Sequence, residues 1–269
     1  MGDPDAFWKK RRRELARACK DFRRGAPGGA TELAEMLEGV GVAARAAGDR
    51  RLSRRARRIA RRCARVAVLE SHRRLLSRVR KLGLIAADAA EALDARWEEL
   101  SRERSRRALR AVRGRAIERL LDALSRQAHA GERRLRRRLE RAERRNARSL
   151  RLPPGQPDDR DLSRYQKRVR RAVRIGLALA EAGGPRNPDA ASGEGFAGSA
   201  LDRWHGLRAF RKLLAREREE AERRGAVTLA LALDRLISAV DAALEKARRQ
   251  LLASARAPSN VVSFRRRSA

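Results

Sequence analysis

The chain has 269 residues and carries 68 Lys and Arg against 34 Asp and Glu, a formal net charge of +34 with charged residues at 38% and aromatics at 3%. So large an uncompensated excess makes a folded chain repel itself, and it points to a dense polyanion as partner: a nucleic acid, an anionic membrane or a polymer of phosphate. Three classes drop out: no uncharged run is long enough to span a bilayer, two cysteines without Cys-x-x-Cys spacing make no disulfide framework, and there is no glycine-rich loop of Walker or dinucleotide type.

Ala, Leu, Arg and Glu dominate and strand alternation is absent, so almost the whole chain reads as helix, broken where Gly and Pro cluster. The first predicted helix runs from about Pro4 to Arg24 with an apolar stripe of Trp8, Leu15, Cys19 and Phe22, and Gly25-Ala26-Pro27-Gly28-Gly29 stops it. The second takes Thr31 as N-cap, reaches about Ala47, and is weakened by Gly39 and Gly41. The third spans about Asp49 to Leu82, with room for a break midway. Its seam of Leu52, Ala56, Ile59, Cys63 and Val66 alternates spacings of four and three.

The fourth reads as one long helix from Ala86 to His129, kinked at Gly114, with Leu93, Trp97 and Leu100 and then Val112, Ala116, Leu120 and Leu124 on its seam. The fifth, from Glu132 to Leu150, is short and very basic. A proline-rich loop over 153–159 precedes the sixth helix, about Asp159 to Ala182. A second loop over 183–199 precedes the seventh and eighth, about Ala200 to Arg224 and Ala226 to Arg256, which meet at Gly225. Residues 257–269 read as a disordered basic tail ending in Arg265-Arg266-Arg267. Eight helices with the strongest loop midway predict an all-α fold of two four-helix bundles, residues 1–150 and 159–256, built from long antiparallel helices; a single elongated bundle is the alternative.

The cations fall in rows. Only seven of them are lysine, and the planar five-donor fork of arginine matches phosphate better than a point charge does. The third helix puts Arg54, Arg58, Arg61, Arg65 and His72 on one line, with no carboxylate between Arg50 and Val68. The sixth carries Arg164, Lys167, Arg170, Arg171 and Arg174, and the first carries Lys10, Arg13, Arg17 and Lys20. Residues three and four apart on a helix are neighbours, so each row can follow a line of anions, at a cost in self-repulsion. His205 and Arg208 add to the set from the seventh helix. These residues are the candidate polyanion-binding site. Stacking on single-stranded bases needs exposed aromatics, and here the aromatics sit at core spacings.

Catalysis is not legible. His72, His129 and His205 stand on separate helices with no metal-ligand neighbour, and each reads as a surface or cap residue. Glu98-Glu99 and Glu219-Glu220 face different directions, and no nucleophile–base pair stands out. The expectation is a cytoplasmic binding protein, with no enzyme activity, cofactor or metal, whose thiols Cys19 and Cys63 stay reduced and buried.

From Asp161 the chain reads D-L-S-R-Y-Q-K-R-V-R-R-A-V-R-I-G-L-A-L-A. This resembles the signature helix of the conserved-histidine α-helical domain (CHAD) family, approximately L-H-x-x-R-x-x-x-K-R-x-R-Y before an apolar run. Leu162, Arg170 and Arg171 match. Ser163 stands where the histidine would be, Gln166 where the first arginine would be, and Val173-Arg174 in place of the last Arg-Tyr. Leu201 to Leu214 resembles the family's later helix, with Gly206 where Asp is usual. Arg51 to Leu69, Val112 to Leu124 and the row from Lys10 to Lys20 are similar more loosely, so the likeness is firmest over 160–250. The resemblance implies two helical bundles about a pseudo-twofold with a basic channel that binds inorganic polyphosphate, in some members at polyphosphate granules. Two other partners fit the charge alone: nucleic acid, as for a nucleoid-associated protein, or an acidic protein docked by an adaptor.

Overall fold

A computed structural model of the chain describes residues 6–127, 132–147, 150, 157–184 and 196–256. The predicted features at His129, over 151–156 and 185–195, and in the tail 257–269 lie outside the described residues. Within them the fold is all-α: α1 Ala6–Arg23, α2 Gly29–Ala46, α3 Arg50–Lys81, α4 Ala87–Arg113, α5 Arg115–Gln127, α6 Glu132–Ala147, α7 Asp159–Glu181, α8 Phe196–Arg223 and α9 Val227–Arg256.

Helix α2 is the centre of the first core. It buries Ala30, Leu33, Leu37, Val40 and Ala44, and it packs on α1, α3, α6 and α7. It starts earlier than the expected Thr31 cap: Gly28, at φ 76, is the N-cap. The reason is a tight turn. A Cβ on Gly29 would sit 3.3 Å from the Phe22 backbone, so the α1–α2 connection closes where only glycines fit. Gly41 does not break the helix. Its carbonyl accepts from Ser53 Oγ at 2.7 Å, and a Cβ there would lie 3.2 Å from Arg57 Cγ. Close approach to α3 offsets the helix-propensity penalty of about 1 kcal/mol.

Helix α3 is unbroken over 32 residues, roughly 48 Å at 1.5 Å per residue. Asp49 caps it, accepting from Leu52 N at 2.8 Å, and Gln127 Nε2 donates to the other carboxylate oxygen at 2.9 Å. Such a cap contributes about 1 kcal/mol. The predicted long fourth helix is two helices. Gly114, at φ −91 and ψ 171, is extended and separates α4 from α5. The break resets the helical phase, so Ile117 enters the core and Ala116 is left exposed.

Three apolar clusters organise the packing. The first joins α1, α2, the Leu52–Val66 part of α3, the end of α4, α5, α6 and the end of α7. The second joins Leu69 and Leu76 of α3, Ala89 to Trp97 of α4, Phe210 to Ala221 of α8 and Ala230 to Val240 of α9. The third joins Leu162 of α7, Leu201 and Trp204 of α8, and Ala247 and Leu251 of α9. The long antiparallel pair α3–α4 therefore runs from one core into the next, and residues 69–97 share a core with 210–240. Trp97 is the anchor there. It is fully buried, edge-on to Phe210, and its Nε1 donates to Glu217 Oε1 at 3.2 Å, while Arg96 pairs with the same carboxylate at 3.0 Å.

Candidate cationic site

Helices α3, α7 and α8 each bring arginines to one another, and α2, α4 and α6 add to them. The first cluster is Arg45 on α2, Arg57 and Arg61 on α3, Arg145 on α6 and Arg171 on α7. Partial burial lowers the Arg57 pKa, and the charges of Arg45, Arg171 and Arg61 lower it further, against an opposing pull from Glu38. Burial and then Arg45 and Arg145 do the same to Arg171. These guanidiniums stay protonated; the depression measures how unfavourable each charge is where it sits. Among the described residues none of Arg45, Arg57, Arg61 and Arg171 has a carboxylate at ion-pair distance.

The second cluster lies one turn along α3. Burial, then the charges of Arg65 and Arg216, depress the pKa of Arg104 on α4, with Glu103 opposing. Arg104 Nη1 also donates to the Arg65 carbonyl at 3.3 Å. The third cluster joins α7 to α8. Burial is the main cause of the lowered His205 pKa, followed by Arg170, with Arg208 and Lys167 adding to it and Asp202 opposing. Arg57 of α3 and Arg171 of α7 meet in the first cluster, Arg104 of α4 feels both Arg65 of α3 and Arg216 of α8 in the second, and Lys167 and Arg170 of α7 meet His205 of α8 in the third.

Not all of them are equally free. Arg170 Nη2 lies 2.9 Å from Asp202 Oδ1, and Gln166 Nε2 donates to the same oxygen at 3.1 Å. Arg174 is ion-paired with Glu38. Arg208 Nε lies 2.8 Å from Asp159 Oδ2, and its Nη1 donates to Ser163 Oγ at 2.6 Å. Ser163 in turn donates to the Asp159 carbonyl at 2.7 Å. Ser163 therefore anchors Arg208.

The fold resembles that of PptA from Streptomyces chartreusis. The two superpose with a TM-score of 0.66 at 16% sequence identity, over 94% of this chain and 97% of PptA. At that identity the likeness speaks for the fold. No protein-family model matches the chain, and no curated protein matches it in sequence.

The remaining sequence-selected residues sit elsewhere. Arg54 and Arg58 are exposed on the outer face of α3, where Arg54 Nε donates to the Arg50 carbonyl at 3.3 Å. Arg164 is 3.7 Å from Asp161 within α7. Lys10, Arg13, Arg17 and Lys20 are exposed on α1, which packs on α2, α4 and α5. Lys10 and Arg17 lie 3.8 Å from Glu14 and Asp21 on the same helix.

His72 departs from its place in the cationic row and from the expectation of a surface residue. It is buried, lies 5.6 Å from the Phe210 ring, and burial followed by Arg104 lowers its pKa to about 4. It is neutral near pH 7 and adds no charge. Sequence rows missed Arg45, Arg57, Arg104, Arg145 and Arg216, because each joins its cluster across helices. One clue was legible for Arg57: it stands four residues before Arg61, on a helix that packs against glycine-bearing α2.

No described helix is long and apolar enough to cross a membrane, and the described residues hold no group of three His, Cys, Asp or Glu placed to bind a metal ion. One shallow pocket lies apart from the clusters at the start of α3, lined by Asp49, Arg51, Arg55 and Arg126 among others.

Proposed function

We propose that the chain binds inorganic polyphosphate at the clusters of cations on α3, α7 and α8, as a divergent relative of the CHAD family working in the cytoplasm at polyphosphate granules. The observation that carries the reading is the cluster of Arg45, Arg57, Arg61 and Arg171, which brings guanidiniums from three helices together without an ion-pairing carboxylate. A polymer with a negative charge at every repeat relieves that repulsion and can run on from this cluster to the others. The deep burial of Trp8, Trp97, Trp204, Phe7 and Phe210 leaves no stacking platform of these rings for single-stranded bases. The resemblance of residues 160–250 to the CHAD signature points the same way.

The mechanism is counterion release, with no bond made or broken and so no enzyme activity. By analogy with DNA, where log affinity falls by about 0.9 per phosphate neutralised for each log of salt, about five contacts lose on the order of 10²- to 10³-fold between ~50 and ~200 mM salt.

The test is competition at physiological salt between long-chain polyphosphate and duplex DNA at equal phosphate concentration. Polyphosphate displacing DNA supports the reading. DNA displacing polyphosphate overturns it in favour of a nucleic-acid binder, and binding of neither overturns it in favour of an adaptor for an acidic protein.

A further inference from the structure

The pocket at the start of α3 is built differently from the clusters. It holds about 210 Å³ and lies between the first turns of α3 and the last turn of α5, two helices that pack on each other. Arg51 and Arg55 line it from α3 and Arg126 from α5, and Asp49 and Gln127 complete its polar lining. One cavity thus gathers guanidiniums from two helices. Neither Arg57 nor Arg61 lines it, so it shares α3 with the first cluster but no residue. Its volume falls below the roughly 300–1,000 Å³ of sites for drug-sized ligands, which suits an anion of a few heavy atoms.

The frame of the pocket is tied together. The Asp49 carboxylate accepts from Leu52 N at 2.8 Å and from Gln127 Nε2 at 2.9 Å. The second bond joins the cap of α3 to the last residue of α5, so the arginines of the two helices are held across one gap. Both oxygens of the pocket's only carboxylate are engaged in this way. Among the described residues none of Arg51, Arg55 and Arg126 has a carboxylate at ion-pair distance. All three are exposed, so their guanidiniums are free to turn onto a guest.

Three guanidiniums less one carboxylate leave the pocket an excess of two positive charges. A phosphate group, at about −1.5 to −2 near pH 7, balances that excess. The arginine fork gives a phosphoryl group two parallel hydrogen bonds. A tetrahedral group with three terminal oxygens takes forks from two helices at once, whereas a planar carboxylate presents its two oxygens to one fork.

We propose that this pocket binds a small phosphoryl dianion (inorganic phosphate, pyrophosphate or a phosphate monoester) at a site separate from the cluster of Arg45, Arg57, Arg61 and Arg171. What the cluster binds does not enter into it.

The test uses the full-length wild type, two pocket variants (Arg55→Gln with Arg126→Gln, and Arg51→Gln alone) and a cluster variant (Arg171→Gln), with circular dichroism to check that each is folded. Calorimetric titration at physiological salt reads the binding of inorganic phosphate, pyrophosphate and adenosine monophosphate, with succinate as a dicarboxylate control. The expected result is one site per chain for at least one phosphoryl compound, and the tightest of the three names the source. Affinity should be unchanged in the cluster variant and fall at least about tenfold in the double pocket variant. At ten times its dissociation constant the compound should raise the wild-type melting temperature by about 3–6 °C. Long-chain polyphosphate should bind the pocket variants as tightly as the wild type. Failure of all three phosphoryl compounds to bind the wild type overturns the proposal, as does equally tight binding of succinate. So does a loss of binding in the cluster variant with none in the pocket variants, which would put the anion at the cluster. A wild type that takes the small anion but no polyphosphate keeps the pocket and sinks the polymer reading.

Discussion

Replacing Arg171 by glutamine should stabilise the protein while weakening its grip on polyphosphate. Arg171 faces Arg45 and Arg145, and its charge is also felt at Arg57. An exposed like-charge pair costs about 0.2–0.5 kcal/mol. Three such pairs together cost about 1 kcal/mol, and losing that cost should raise the melting temperature by about 2–4 °C for a chain of this size. On the proposed reading the same guanidinium forms charge-assisted hydrogen bonds to phosphate worth about 1.5–3 kcal/mol, so affinity should fall roughly 10- to 100-fold. The log–log salt slope should become shallower by about 0.9. Thermal unfolding followed by circular dichroism, and fluorescence anisotropy with labelled polyphosphate at several salt concentrations, read the two effects on one preparation. A variant that melts lower than the wild type and binds with unchanged affinity and slope would refute the reasoning. In that case the cluster would be neither strained by its charges nor used for phosphate.

On the proposed reading the carboxylates that occupy Arg208 and Arg170 compete with the ligand, so Asp159→Asn and Asp202→Asn should each tighten polyphosphate binding by about 2- to 5-fold, the worth of an exposed ion pair, in the same anisotropy titration. The folded chain holds His72 neutral down to about pH 4, whereas an unfolded imidazole takes up its proton near 6.5. The unfolded state thus binds more protons between those values, and stability should fall with pH through that window by about 3 kcal/mol on this account. Urea midpoints at pH 7 and pH 4.5 should accordingly diverge less in His72→Phe than in the wild type. Trp97→Ala removes the anchor of the second core and its hydrogen bond to Glu217, and should cost about 3–5 kcal/mol in urea unfolding.

Helix positions were legible because the Gly and Pro breaks and the 3.6-residue apolar spacing are local signals. The Asp49 start of α3, the Gly225 hinge and the seam from Leu52 to Val66 are all of this kind. Gly114 illustrates the limit. A glycine within a long helical pattern is consistent with a kink or a full break, and the choice fell to α1 and α3, whose packing needs Ile117 rather than Ala116 inside. His72 is a similar case: its spacing puts it on the arginine row, and only the approach of Phe210 from α8 buries it.

The sequence by itself determined an all-α chain with a large positive excess set in helical rows, because charge and helical periodicity are properties of neighbours along the chain. It could not rank those rows. Whether a guanidinium stays available depends on which carboxylate reaches it from another helix, and that is a tertiary fact: Glu38 takes Arg174, Asp202 takes Arg170 and Asp159 takes Arg208, while Arg45, Arg57, Arg61 and Arg171 meet one another.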